Sequence, residues 1–174
     1  MTSNTDNSAD SLPDNAIAVI GMAGRFPGAD SVTEFWDNLR EGKETIVTLS
    51  EDDLLAEGVS PRALANHSYV RRSGLMRGID EFDAGFFGLS PHDAALFDPQ
   101  HRIWLELCHT AFEHAGHVPA RFAGRIGVFA GCGENGYLRH NLLSNPELLD
   151  ELGMFVVRHT GNDKDFLATR TSYQ

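Results

Sequence analysis

The chain has 174 residues, 41% of them apolar, and carries 25 acidic side chains against 14 Lys and Arg for a formal net charge of −11. That balance excludes nucleic acid and anionic membrane surfaces as partners, since both require a basic face. No apolar run reaches the roughly 18 residues of a membrane span, the polar, acidic start lacks the parts of a secretory signal, and two cysteines make no disulfide framework, so the expected setting is cytoplasmic.

Residues 1–15 are rich in Ser, Asn and Asp and offer little to bury, which predicts a disordered tail or linker. Order is expected from Ala16 onward. The run AIAVIGMAG is continuously apolar and ends in Gly, as a strand buried on both faces of a parallel sheet would be. Ser31 and Glu34 have capping-box spacing, and Val32, Phe35, Trp36 and Leu39 then make one apolar stripe that Gly42 closes. Residues 43–81 read as a long insertion with a small helix near Glu51 to Glu57.

Two helix starts follow in close succession. Ser90 before Pro91 and Asp98 before Pro99 each place a capping side chain ahead of a proline at the first helical position. From Asp98, Ile103, Trp104, Leu107, Cys108, Ala111, Phe112 and Ala115 recur at helical spacing up to Gly116. RIGVFAG, residues 125–131, predicts a second buried strand. Residues 138–152 predict helix, broken or restarted at Asn145-Pro146. A further helical turn is expected over residues 163–169, with Asp163 and Asp165 as caps, and a strand from Thr171. Strands alternating with helices imply an α/β fold with a parallel or mixed sheet.

Four segments, IAVIGMAGRFPGADSVTEFWDNLREG, FDAGFFGLSPHDAALFDPQHRIWLELCHTAFEHAG, RIGVFAGCGENGY and GNDKDFLATRTSY, resemble in order and spacing the N-terminal part of a β-ketoacyl synthase of modular polyketide synthases. The resemblance implies the first part of a thiolase-like fold, incomplete, over residues 16–174. It implies decarboxylative Claisen condensation of acyl and malonyl units, with phosphopantetheine presented by an acyl carrier protein and no cofactor bound directly. Its partners would be the carrier protein, the remainder of the ketosynthase domain and, in the complete enzyme, a second copy. The family's nucleophilic Cys and two His belong beyond Tyr173, so no catalytic residue is carried over and these residues alone are expected to be inactive. The alternatives are a non-catalytic, vestigial or partner-binding half-domain and, more distantly, a nucleotide-binding α/β domain.

The remaining candidates are weighed residue by residue. Cys108 falls mid-helix, where nothing lowers a thiol pKa, and reads as a small apolar residue. Gly131-Cys132-Gly133-Glu134-Asn135-Gly136 spells G-x-G-x-x-G, which alone suggests phosphate on backbone amides. MFVVRHT, the run that would supply the second strand, ends in Arg158 and His159 rather than the confirming acid. By resemblance this loop borders an acyl pocket, with Cys132 and Glu134 lining it. His109, His114 and His117 lack the i, i+4 spacing of a helical metal pair, so no metal site is expected. Arg25, Arg102 and Arg170 suit structural ties through their planar forks. Tyr69 with Arg71 and Arg72 makes one basic spot that would suit an acidic partner.

Overall fold

The computed structural model describes residue 13 and residues 15–174, so the predicted tail over 1–15 lies almost wholly outside the described residues. Helix α1, Val32–Glu41, starts as its sequence dictates. Ser31 Oγ accepts from the Glu34 amide at 3.1 Å, and Gly42 closes the helix at φ 64°. The Glu34 carboxylate accepts from the amide of Asp30 at 2.8 Å, one residue ahead of the capping-box position. The expected apolar stripe is only partly used. Phe35 stacks on Phe26 with centroids 4.1 Å apart, while Trp36 and Leu39 stay exposed.

The insertion is built on a short antiparallel pair, β1 (Ile46–Thr48) with β2 (Arg72–Gly74), in the register Ile46 to Gly74. Helices α2 (Glu51–Ala56) and α3 (Pro61–Leu64) lie between the strands in sequence. Ser50 and Ser60 cap them. This pair is the sole sheet among the described residues.

The strands expected over residues 16–20 and 125–131 do not form. A strand is stabilised by a ladder, and neither segment has a partner edge among the described residues. Ile17 is 94% exposed and Phe129 93% exposed, although the apolar pattern places both inside a sheet. The strand expected from Thr171 is also absent. Helix α7, Leu167–Tyr173, occupies that place. A helix satisfies its own backbone where a lone strand cannot. The Thr171 hydroxyl adds a bond to the Leu167 carbonyl at 2.8 Å.

The doubled helix start at Ser90-Pro91 and Asp98-Pro99 holds. Ser90 caps α4 (Pro91–Leu96), and Asp98 caps α5 (Pro99–Ala115) by accepting from the Gln100 amide at 2.9 Å. Each helix begins with proline at its first turn. The buried residues of α5 differ from the expected stripe. His101, Arg102 and Leu105 are buried, whereas Trp104, Cys108 and Phe112 are half-exposed along a groove.

Leu138–Leu142 makes one wide helical turn before α6, Pro146–His159, which Asn145 caps. The predicted break at Asn145-Pro146 is observed, but α6 runs beyond Leu152 and is interrupted at Gly153 (φ 77°, ψ 148°). MFVVRH therefore belongs to a helix rather than a strand. Asp163 precedes a tight turn, Lys164–Phe166, without capping it through its side chain. Its carboxylate instead faces Arg158 at 3.7 Å and His159 at 3.5 Å.

The apolar core sits between α4, the wide turn and α6. Leu96, Leu142 and Val157 are buried, with Tyr137, Leu148 and Leu152 packed against them. Burying one such aliphatic side chain stabilises the fold by about 1.5 to 3 kcal/mol. On the far side of α5, Gly21 lies so close that a Cβ there would stand 2.5 Å from the Ala111 carbonyl oxygen and 3.0 Å from the Ala115 Cβ. Glycine is what permits that approach.

Candidate functional site

The loop 131–136 has no backbone ladder and is held by side-chain amides. Gln100, in the first turn of α5, reaches it with both ends of its amide. Its Oε1 accepts from the Gly133 amide at 2.9 Å, and its Nε2 donates to the Glu134 carbonyl at 3.3 Å. The same Nε2 donates to Asp98 Oδ2 at 3.1 Å. Asp98 is buried, and its backbone N–H donates to the Gly161 carbonyl at 3.0 Å.

Asn135 makes the second tether. Its Nδ2 donates to the Asn162 backbone and side-chain oxygens at 3.1 and 3.0 Å, and its Oδ1 accepts from the Leu138 amide at 2.7 Å. Asn162 is buried and fully engaged in turn. Its Nδ2 lies 2.7 Å from the carbonyls of both Leu96 and Val157 and 3.0 Å from that of Thr160. One buried side chain thus joins the end of α4, the end of α6 and the loop, which is how a polar group is accommodated in a core.

Cys132 is half-buried, and Glu134 points to solvent, where Arg139 pairs with it at 3.3 Å. Burial pushes the Cys132 thiol above its ordinary value, and the Asp98 carboxylate adds to that, against a weaker pull from Lys164. Burial alone pushes the Cys108 thiol up. Both sulfurs are held protonated, the opposite of what a nucleophile requires.

The phosphate reading of G-x-G-x-x-G does not survive this geometry. The Gly133 amide is taken by Gln100, the Gly136 amide by the Glu134 carbonyl and the Leu138 amide by Asn135. The loop also lies beside the Asp98 carboxylate, which disfavours an anion.

The three histidines considered as ligands are dispersed. His109 pairs with Glu113 and sets its ring edge-on to Phe86, His114 Nδ1 accepts from the Met22 amide at 2.8 Å, and His117 meets the Phe122 ring. The basic spot is neutralised, because Arg71 pairs with Glu51 and Arg72 with Glu44. Arg25 ties its segment to α5 through Glu106 at 3.0 Å. Arg102 stands over the Tyr137 ring at 5.9 Å, and Arg170 over the buried Phe97 ring at 4.3 Å.

Nothing in the residue pattern marks His101 for burial. It is 1% exposed, and neither ring nitrogen has a hydrogen-bond partner among the described residues. Burial lowers its pKa, Asp98 opposes that and Arg170 reinforces it. The role of Gln100 also escapes sequence reasoning. A long amide two residues after an N-cap Asp is the available signal, but only the tertiary contact shows its use.

An apolar groove of about 400 Å³ runs along the half-exposed face of α5, between Ile20 on one segment and Ile126 and Phe129 on another. Trp104 and Cys108 line it, whereas Cys132 and Glu134 do not. The Trp104 indole N–H donates to Thr171 Oγ1 at 2.8 Å, closing one end against α7. Among the described residues no helix is long and apolar enough to cross a membrane.

Comparison with known proteins assigns the family. The family model for the β-ketoacyl synthase N-terminal domain matches residues 14–174. The chain is 54% identical over 172 residues to a phenolphthiocerol/phthiocerol polyketide synthase polypeptide of Mycobacterium tuberculosis, covering 94% of this chain and 11% of that protein. Among solved structures, an oxazolomycin ketosynthase domain of Streptomyces albus matches 89% of this chain and 26% of its own at 32% identity and a TM-score of 0.71. The ketosynthase from module 6 of the bacillaene synthase of Bacillus subtilis matches 90% and 24% at 28% identity and a TM-score of 0.59. The fold is thus an incomplete thiolase-like α/β fold, helix-rich with a small sheet. With its motifs, its fold and its relatives in agreement, the chain belongs to the β-ketoacyl synthase family, in its N-terminal domain.

Proposed function

We propose that the chain works as one portion, residues 16–174, of a polyketide-type β-ketoacyl synthase, following a tail or linker over residues 1–15. The observation that carries this reading is the 54% identity to a polyketide synthase polypeptide across 94% of the chain. In the reaction, an acyl group passes from carrier-protein phosphopantetheine to an enzyme thiol. The carbanion left when malonyl loses CO₂ then attacks the acyl carbonyl, and the thiolate departs. The carrier protein, a second copy of the enzyme and a cytoplasmic setting are part of the same reading.

The chain's own contribution is scaffold. Cys108 sits in mid-helix and Cys132 beside a carboxylate, so both thiols stay protonated. By resemblance to the family, we place the nucleophile and its histidines outside these residues. Cys132 and Glu134 are the residues we assign to the border of the acyl pocket. Residues 131–135 of their loop are free of regular structure, and the loop is glycine-rich, which suits close approach of a chain.

Intact-mass measurement after incubation with an acyl thioester tests this. The 174 residues alone should gain no adduct, and the complete ketosynthase should gain one, on a Cys outside them. A stoichiometric adduct on Cys108 or Cys132 overturns the assignment. No adduct on the complete protein would favour the non-catalytic, partner-binding alternative.

A further inference from the structure

The geometry points to Gln100 as a positioning residue that fixes the loop 131–136 against α5 and thereby sets the acyl-chain preference of the site. The inference rests on the reading that this loop borders the acyl pocket.

Among the described residues, Gln100 is the one side chain that grips two consecutive residues of the loop on its α5 side, through the Gly133 amide at 2.9 Å and the Glu134 carbonyl at 3.3 Å. Both contacts are to backbone, so they fix the path of the chain rather than one side chain. A Cβ built on Gly133 would stand 3.4 Å from the Gln100 oxygen, an ordinary contact, so it is the two backbone hydrogen bonds rather than steric crowding that hold the loop to Gln100.

The grip is itself anchored. Asp98 holds the Gln100 backbone N–H at 2.9 Å and its Nε2 at 3.1 Å, so the side chain is oriented at both ends. Asp98 is held in turn, through its own amide, by the Gly161 carbonyl. At the other end of the loop, Asn135 is clamped to buried Asn162. Cys132 and Glu134 therefore lie on a short span fixed at Gly133–Glu134 by Gln100 and at Asn135 by Asn162. Releasing the first anchor removes the two side-chain hydrogen bonds that hold the loop to α5 next to Cys132 and leaves the one at Asn135. Loss of two backbone contacts lets that end open, and the wall it forms moves with it.

The test uses the complete ketosynthase with Gln100→Ala and Gln100→Met, the second keeping side-chain length where the first leaves space. Hydrogen exchange is read over residues 131–138, and kcat/KM is compared for acetyl and octanoyl thioesters of N-acetylcysteamine. Exchange should rise about tenfold in the loop, with the first turn of α5 unchanged because Asp98 still caps it. The octanoyl-to-acetyl ratio should move about threefold or more, chiefly through KM. Cys132→Phe is the control on the underlying reading, since it narrows the pocket directly.

Unchanged exchange in both Gln100 variants overturns the proposal. So does raised exchange with an unchanged ratio while Cys132→Phe shifts that ratio. If Cys132→Phe also leaves the ratio unmoved, the pocket reading itself falls. Failure of both Gln100 variants to fold would make the residue a general determinant of stability and refute a positioning role.

Discussion

Replacing Gly161 by Ala tests the junction on which α5 starts. Gly161 has φ 73°, in the left-handed region, and a methyl there costs about 1 to 2 kcal/mol in backbone strain. The new Cβ would also collide with Phe97 Cγ and stand 2.5 Å from its Cδ2. Phe97 has little room to retreat, being 1% exposed with the Arg170 guanidinium over its ring. Overpacking of this kind costs about 1 to 3 kcal/mol. Together the two terms predict a loss of about 2 to 5 kcal/mol in local stability. The Gly161 carbonyl accepts from the Asp98 amide, so the damage should reach the N-terminus of α5. Native-state hydrogen exchange in the complete ketosynthase, read over residues 96–105 and 157–167, measures this without requiring a two-state melt. Phe97→Leu in the same background should recover part of the steric term, because a smaller side chain vacates the position the methyl needs. A loss below about 1 kcal/mol, or no recovery with Phe97→Leu, would refute the reasoning.

Acidification should act through His101. Its pKa is lowered in the fold, so the unfolded chain takes up the proton first, and its contribution is complete above about pH 6.5 and lost as pH falls below it. The slope from this one group cannot exceed about 1.4 kcal/mol per pH unit, and His101→Leu should flatten urea-denaturation midpoints between pH 5 and 7 relative to the parent. An identical pH profile in the two proteins would sink the idea. Cys108 and Cys132 should alkylate with iodoacetamide at pH 7.5 more slowly than in urea-unfolded chain, since burial raises both thiols; equal rates by mass spectrometry would contradict that. The 174 residues expressed alone should bind an apolar dye strongly and show weak near-ultraviolet dichroism, because Ile17, Val19 and Phe129 stand in solvent. A sharp, cooperative melt of a monodisperse monomer would count against this.

Local signals were legible in the sequence because local chemistry decides them. Ser31, Ser90 and Asp98 cap the helices they precede, a helix restarts at Asn145-Pro146, and Gly42 and Gly116 close theirs. Strands were not legible, since a strand exists only with a partner edge, and residues 16–20 and 125–131 have none among the described residues. Which face of α5 is buried also depended on what packs there. Apolar spacing pointed to Trp104 and Cys108, while His101 and Arg102 went inside. For the candidate site, the glycine pattern located the loop but not the amides of Gln100 and Asn135 that hold it, because contacts across 33 and 27 residues leave no mark in spacing.

Gly21 acts as a spacer gauge between its own segment and α5. With a Cβ 2.5 Å from the Ala111 oxygen, any other residue would have to stand off by about 1 Å to regain an ordinary contact of about 3.5 Å. The segment carrying it also carries Ile20, one wall of the apolar groove, so the clearance at Gly21 governs how wide that groove is along α5. A widened gap would leave side chains such as Trp104 and Phe112 facing a void or water instead of carbon. The separation of this segment from the helix is therefore set at Gly21 by an atom that is not there, and a change at that position would be felt first as a shift in how the flanking segments seat on α5.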